Sequence, residues 1–247
     1  MRRYWPPQQR EHRGIRSSRL LALCYSERVS KSFLDLVKRG DTQEIADWVR
    51  DDPQIAESRD AQGVSALLWA VYSGQTVVRD FLRSGLELDL PEAAATGDVA
   101  RLRELLGMDP AAAKERANSH SADGWPLLHL AAAFADRETV ETLLDAGADV
   151  RQVSQTPMRN EALHAVLALS KDGDVTRLLI ERGADVNAVQ TAGYRPLYQA
   201  AVAGREDLVR MLLSAGAEQT ARCDRGKTPA EYARERGYTA VAELLEV

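Results

Sequence analysis

The sequence predicts an all-α solenoid of about six to seven stacked helix hairpins, and three observations carry that expectation. Seven apolar triples share one spacing, a first residue followed by two more at i+3 and i+4: Ile45/Trp48/Val49, Val78/Phe81/Leu82, Leu102/Leu105/Leu106, Val140/Leu143/Leu144, Val175/Leu178/Leu179, Val209/Leu212/Leu213 and Val241/Leu244/Leu245. Each marks the buried stripe of an amphipathic helix. Their first members stand 33, 24, 38, 35, 34 and 32 positions apart, so the chain is an array of units of about 33 residues. The third observation is what surrounds each triple. A shorter alanine-rich segment precedes it, as in Leu127-Leu128-His129-Leu130-Ala131-Ala132, and a glycine usually comes after it.

Residues 1–31 precede the array. They carry eight basic and two acidic groups, the composition of a basic, disordered N-terminal tail or of a targeting segment. The apolar stretch at 20–25 is too short for a secretory core, and Arg2-Arg3 is followed by Trp-Pro-Pro instead of an apolar run. Leu23 is too bulky for the position before a lipoprotein cysteine at Cys24.

Residues 32–247 form the repeat domain. In each unit the short segment makes a first helix whose alanines, such as Ala70, Ala131 and Ala200, let a neighbouring helix approach closely. The triple makes a second helix. Gly85, Gly147, Gly183 and Gly216 stand where the left-handed residue that ends this helix is needed. One hairpin cannot bury both its faces, so neighbouring units build a continuous core.

The run Gly193-Tyr-Arg-Pro-Leu-Tyr-Gln-Ala-Ala201, followed by Gly204-Arg-Glu-Asp-Leu-Val-Arg-Met-Leu-Leu-Ser-Ala-Gly216-Ala217, resembles a complete ankyrin repeat. Gly183-Ala-Asp-Val-Asn187, Gly147-Ala-Asp-Val150 and Gly226-Lys-Thr228-Pro229 are similar to that family's other signatures. The resemblance covers residues 32–247 and implies that each polar connection is a short β-hairpin finger. Three departures are visible. The third unit begins at Leu90, five residues after Gly85, so most of a finger is absent, and residues 107–123 form a long Ala/Ser-rich connection with a break at Asp109-Pro110. The stack is therefore expected to be irregular over 86–123. The finger at Met158 is two residues longer than usual, with Arg159 near the expected glycine. In the last unit Arg234, Glu235, Arg236, Glu243 and Glu246 suit an exposed end cap.

Composition narrows the function. The net charge is -5, and residues 32–247 hold 24 basic against 35 acidic groups, or -11. Such a body repels polyanions, so no nucleic acid is expected on it. No stretch reaches the length of a membrane-spanning helix, the longest apolar runs lying at 66–72 and 127–135. Two cysteines, Cys24 and Cys223, fit a reducing, cytoplasmic setting. A monomer is expected.

The chemistry-bearing candidates have plain readings. Residues 221–228 satisfy a loose phosphate-loop pattern, but Thr228-Pro229 is the repeat's own helix start and the preceding residues are a finger. His129 and His164 occupy equivalent positions without a Cys/His cluster beside them. The resemblance implies that each ring bonds backbone of the adjoining hairpin. Cys223, in a finger, is expected as an exposed thiol without a partner base. Asp51, Asp52, Asp89, Glu92 and Asp98 have ordinary surface spacing. No catalytic group, cofactor site or metal site is expected, and the chain is read as a non-enzyme.

What remains is surface. The resemblance implies a concave face built from finger tips and the exposed side of each first helix. Its register selects Gln62, Val64, Tyr72, Trp125, Phe134, Met158, Arg159, Tyr194, Val202, Arg225 and Lys227. Aromatics and arginine on a rigid face suit a protein-binding hot spot; the alternative for Trp125 and Tyr194 is that they cover neighbouring fingers. The expected function is a scaffold or adaptor that binds a protein partner on this face. The alternative is a regulatory or targeting subunit whose basic tail anchors it to a membrane surface, nucleic acid or transport machinery.

Overall fold

The computed structural model describes residues 29–170 and 172–246. The tail reading falls largely on residues 1–28, with Cys24, and lies outside the described residues; positions 29–31 already belong to the first helix, α1 (29–39). The chain turns at Gly40, whose φ of 79° is left-handed, into α2 (Thr42–Asp51). Phe33 and Trp48 stack across this hairpin with centroids 6.2 Å apart.

The next hairpins are α3 (Ala66–Tyr72) with α4 (Thr76–Gly85) and α5 (Leu90–Thr96) with α6 (Val99–Leu106). An extra helix, α7 (Pro110–Ala117), separates these from α8 (Leu127–Phe134) with α9 (Arg137–Asp145). Then come α10 (Ala162–Ala165), which continues as a π turn over Val166–Ser170, with α11 (Gly173–Glu181). The array ends in α12 (Pro196–Val202) with α13 (Glu206–Ser214) and α14 (Pro229–Glu235) with α15 (Thr239–Leu244).

The first helices of the hairpins, α3, α5, α8, α10, α12 and α14, pack side by side as an inner layer. Buried alanines on it, among them Ala70, Ala94, Ala131 and Ala200, permit that closeness. The second helices α6, α9, α11, α13 and α15 pack in sequence as an outer layer. Their triples supply the core between the layers, and Leu102, Leu143, Val175 and Leu212 have no exposed surface. Ser65, Asp89, Asp98, Asp136, Asp172 and Thr228 each accept a backbone N–H at a helix start, which is why the helices begin there.

The fingers are shorter than hairpins of strands. Among the described residues they close by isolated bridges, Arg59 to Ser65 and His120 to Pro126, or by turns alone, because so few residues leave no room for a ladder. Successive fingers are joined edge to edge: Gln155 N–H donates to Gly124 O (2.9 Å), Thr191 N–H to Met158 O (3.0 Å) and Asp224 N–H to Ala192 O (3.1 Å). The loops behind the outer helices are stitched in the same way. Asn118 Nδ2 donates to Gly147 O, Arg151 Nε to Gly183 O and Asn187 Nδ2 to Gly216 O.

Gly147, Gly183 and Gly216 are left-handed, with φ of 92°, 93° and 89°. Gly85 is not: it closes α4 in helical conformation, and Leu86 continues extended. The expectation of a left-handed stop at Gly85 is corrected, since the chain passes straight on to the next hairpin and no loop has to reverse there. Residues 107–123 also differ from a plain connection. Asp109 caps α7, Ala113 and Ala117 bury its inner side, and Arg116 binds Leu106 O at 2.7 Å. The Asp109-Pro110 break is the start of a helix.

The absent third finger reshapes both layers. On the inner side the second finger abuts the fourth; a Cβ on Gly63 would lie 3.1 Å from the Ala122 methyl. On the outer side α4 and α6 scarcely meet, leaving a cleft of about 570 Å³ between them. Arg83 bridges it to Thr96 O and Asp98, and Arg101 to Leu88 O. Phe81, expected in a buried stripe, is therefore 36% exposed, and Val77 beside it 64%. The end cap is as expected, with Arg234, Glu235, Arg236, Glu243 and Glu246 exposed and Arg234 paired to Glu246.

Candidate functional site

Among the described residues, two groups of rings lie on the inner layer. In the first, Tyr72 at the end of α3 meets Trp125 of the fourth finger (6.3 Å between centroids) and Phe134 at the end of α8 (5.5 Å). Trp125 and Phe134 are 6.3 Å apart, and Trp69 joins from α3 at 5.9 Å from Tyr72. All four rings are half-buried against the core. Lys38 from α1 places its ammonium 3.7 Å above Trp69, whose Nε1–H donates to Asp60 at 2.9 Å. Burial first, and then Asp123, push the Tyr72 hydroxyl well above the ordinary tyrosine range, so it remains a proton donor.

In the second group Tyr194, Tyr198 and Tyr232 pack edge to face at 5.5 to 5.8 Å. The hydroxyls of Tyr194 and Tyr232 are 2.9 Å apart. Tyr198 is buried and directs its hydroxyl between Ala221 O (2.6 Å) and Lys227 O (2.8 Å); burial pushes its pKa up to about 12. Lys227 pairs with Glu235 and lies 5.5 Å from the Tyr232 ring.

The sequence-selected residues divide by placement. Tyr72, Trp125 and Phe134 come together in the first group, and Tyr194 and Lys227 sit in the second. Gln62, Met158, Arg159 and Arg225 are exposed at finger tips, Met158 by 49%, and Val202 is half-buried at the end of α12. Val64 is a correction: only 2% exposed, it turns into the core while its N–H is held by Asp60, so it offers no contact surface. Trp125 and Tyr194 also cover neighbouring units, because their rings touch those of the adjoining helices.

Three residues of this face were not among those selected from the sequence. Trp69 and Tyr232 sit mid-helix at equivalent positions, Trp69 one turn before the selected Tyr72. Leu169, 49% exposed, lies in the π turn that ends the fifth inner helix, as Tyr72, Phe134 and Val202 end theirs. For Leu169 the repeat spacing was the available signal, since it follows His164 by 5 positions as Phe134 follows His129 by 5.

The chemistry-bearing side chains are occupied structurally. His129 Nε2 lies 2.8 Å from Asn160 O in the next unit, and His164 Nδ1 accepts the Glu161 N–H at 3.3 Å. Burial lowers the pKa of both rings to about 4, so they are neutral. Cys223 is another correction: it is buried, at 4% exposure, with its sulfur 3.8 Å from the Tyr232 hydroxyl. Its finger folds back against α14, which takes the thiol out of solvent. Residues 221–228 wrap the Tyr198 hydroxyl, and Thr228 caps α14. Among the described residues no three His, Cys, Asp or Glu converge as metal ligands, and no helix is long and apolar enough to cross a membrane.

Helix hairpins stacked in two layers, with fingers joined along one edge and rings lined up on the inner helices, define a repeat protein of the ankyrin type. The profile described as ankyrin repeats (3 copies) matches residues 90–190, 128–223 and 163–246. The chain belongs to the ankyrin repeat family. It is similar to tyrosine-protein kinase Shark of Drosophila melanogaster, 37% identical over 124 residues, which is 50% of this chain and 13% of that protein. It is also similar to tyrosine-protein kinase HTK16 of Hydra vulgaris, 29% identical over 170 residues, 67% of this chain and 21% of that protein. Protein PhlB of Serratia liquefaciens is 34% identical over 147 residues, 59% of this chain and 61% of that protein. The chain thus spans less than two thirds of each of these relatives.

Proposed function

We propose that this chain is a non-catalytic interaction module that binds a protein partner across the face formed by its finger tips and inner helices. The observation that carries this reading is the ordered row of side chains on that face. Tyr72, Phe134, Leu169 and Val202 stand at the ends of four of the inner helices, with the short α5 between the first two, and aromatic groups stand at both ends of the row. Rings held by neighbouring units lose little freedom on binding, and partly exposed rings have area still to bury. The joined fingers make the face rigid, which lowers the ordering cost of association.

The test uses residues that the core does not need. Met158→Asp with Leu169→Asp places two charges on the proposed face, and Val77→Asp places one on the outer face. A protein retained by the wild-type chain is expected to be lost with the first variant and kept by the second, with circular dichroism unchanged in both. Loss only with Val77→Asp would move the binding surface to the outer layer and overturn the reading.

A further inference from the structure

The absent third finger brings two parts of the inner face together that a regular stack would hold one unit further apart. Because the second finger abuts the fourth, the Tyr72 hydroxyl reaches Asp123 Oδ1 at 3.4 Å. The same oxygen receives Ser121 Oγ at 2.6 Å. Asp123 Oδ2 has no hydrogen-bond partner among the described residues. The carboxylate is half-buried beside the rings of Tyr72, Trp125 and Phe134.

Aromatic faces next to a carboxylate are a chemically defined environment. The ring quadrupoles present negative faces and the carboxylate adds a full negative charge, so a cation is favoured there over a neutral or anionic group. The protein already uses half of this surface in that way, since Lys38 sits 3.7 Å above Trp69. On Tyr72, Trp125 and Phe134 no such cation is found among the described residues. The neighbouring positive groups do not cancel the preference. Arg59 is held by Asp89 at 3.0 Å and Glu92 at 3.6 Å, and burial keeps the His120 pKa below the ordinary histidine value. Residues 32–247 carry a net -11, which draws a basic segment toward the body before contact is made.

We infer that Tyr72, Trp125, Phe134 and Asp123 form a seat for a cationic side chain, arginine in preference to lysine, carried on a basic segment of the protein partner. The planar guanidinium stacks on a ring while two of its N–H groups meet a carboxylate, a geometry that a compact ammonium cannot match. This rests on the reading that the finger and inner-helix face binds protein.

Random peptides displayed on phage and panned on the whole chain test it. Peptides retained by the wild type and lost by Met158→Asp/Leu169→Asp are expected to carry arginine. Replacing that arginine by citrulline, which keeps the shape and removes the charge without altering the protein, is expected to weaken binding about tenfold. Asp123→Asn is expected to do the same while leaving the melting temperature in place, because the amide oxygen still accepts from Ser121. Retained peptides without a cation, or arginine peptides indifferent to both changes, would overturn the seat and leave the face reading intact. If no peptide distinguishes the wild type from Met158→Asp/Leu169→Asp, both fall.

Discussion

The hydroxyl of Tyr72 lies 3.4 Å from Oδ1 of Asp123, 51 positions along the chain and two units away. The contact spans the unit without a finger, so it ties the second hairpin to the fourth on the inner side while the outer helices α4 and α6 stand apart. Tyr72→Phe keeps the ring and removes only this long bond. It is expected to cost less than about 1 kcal/mol by denaturant unfolding. A larger loss would show that the bond, and not ring packing, holds the two fingers together.

Arg159 has a φ of 47°, where other fingers place Gly63, Gly124, Gly193 and Gly226 at 73° to 87°. A side chain at positive φ crowds its own backbone, and glycine relieves that at the expense of more freedom in the unfolded chain. Arg159→Gly is expected to raise stability by about 0.5 kcal/mol, seen as a higher denaturant midpoint at constant slope. A lower midpoint would mean that the arginine makes a compensating contact.

Asn187 joins two units through both ends of its amide, giving Nδ2–H to Gly216 O at 3.0 Å and accepting Glu218 N–H at 2.8 Å. Asn187→Ala leaves both groups to solvent in part. The expected cost is about 1–2 kcal/mol, with hydrogen exchange accelerated at residues 216–218 before the rest of the array.

Leu143 is fully buried between stacked units. Leu143→Ala opens a cavity there and is expected to cost about 2–5 kcal/mol, with binding lost only as the array unfolds. Binding lost at a temperature where the variant remains helical would place Leu143 in a functional role that its burial does not suggest.

Glu161, His129 and His164 contribute to a pH dependence. The pKa of Glu161 is raised to about 7 by burial first and then by Asp185. The folded chain therefore holds this proton where the unfolded chain has released it, and the stability it contributes is lost as pH rises through 7. His129 and His164 are lowered to about 4 by burial. Their contribution is present above the ordinary histidine pKa and is lost as pH falls toward 4. The carboxyl and the two rings act in opposite directions, and because two histidines outweigh one carboxyl the denaturant midpoint is expected to rise with pH up to about 6.5 and to level off near 7. Glu161→Gln is expected to steepen that rise, because it removes the opposing contribution; an unchanged slope would show that Glu161 titrates normally.

Much of the fold was legible in the sequence because repeats repeat their physics. The i, i+3, i+4 triples read out the outer helices, and Gly147, Gly183 and Gly216 read out their ends, since only glycine is comfortable at the φ found there. Gly85 departs from that pattern because its conformation depends on the segment after it: without a finger there is no reversal to make. Phe81 occupies the same place in its triple as Leu143 and Leu178, yet its exposure depends on a missing neighbour. Helix α7 was hidden because its few apolar residues are alanines, which give almost no periodic signal.

The site divides in the same way. The sequence by itself determined the family, the inner and outer layers, and which positions face outward in a regular unit. The tertiary structure alone decided that Val64 and Cys223 turn inward, that Trp69 and Tyr232 belong to the face, and that Tyr72, Trp125, Phe134 and Asp123 meet. Periodicity is a local property, set by the geometry of one helix, and one unit suffices to read it. Proximity between units depends on how many residues lie between them, and here a few absent residues carried one finger past the place of the next.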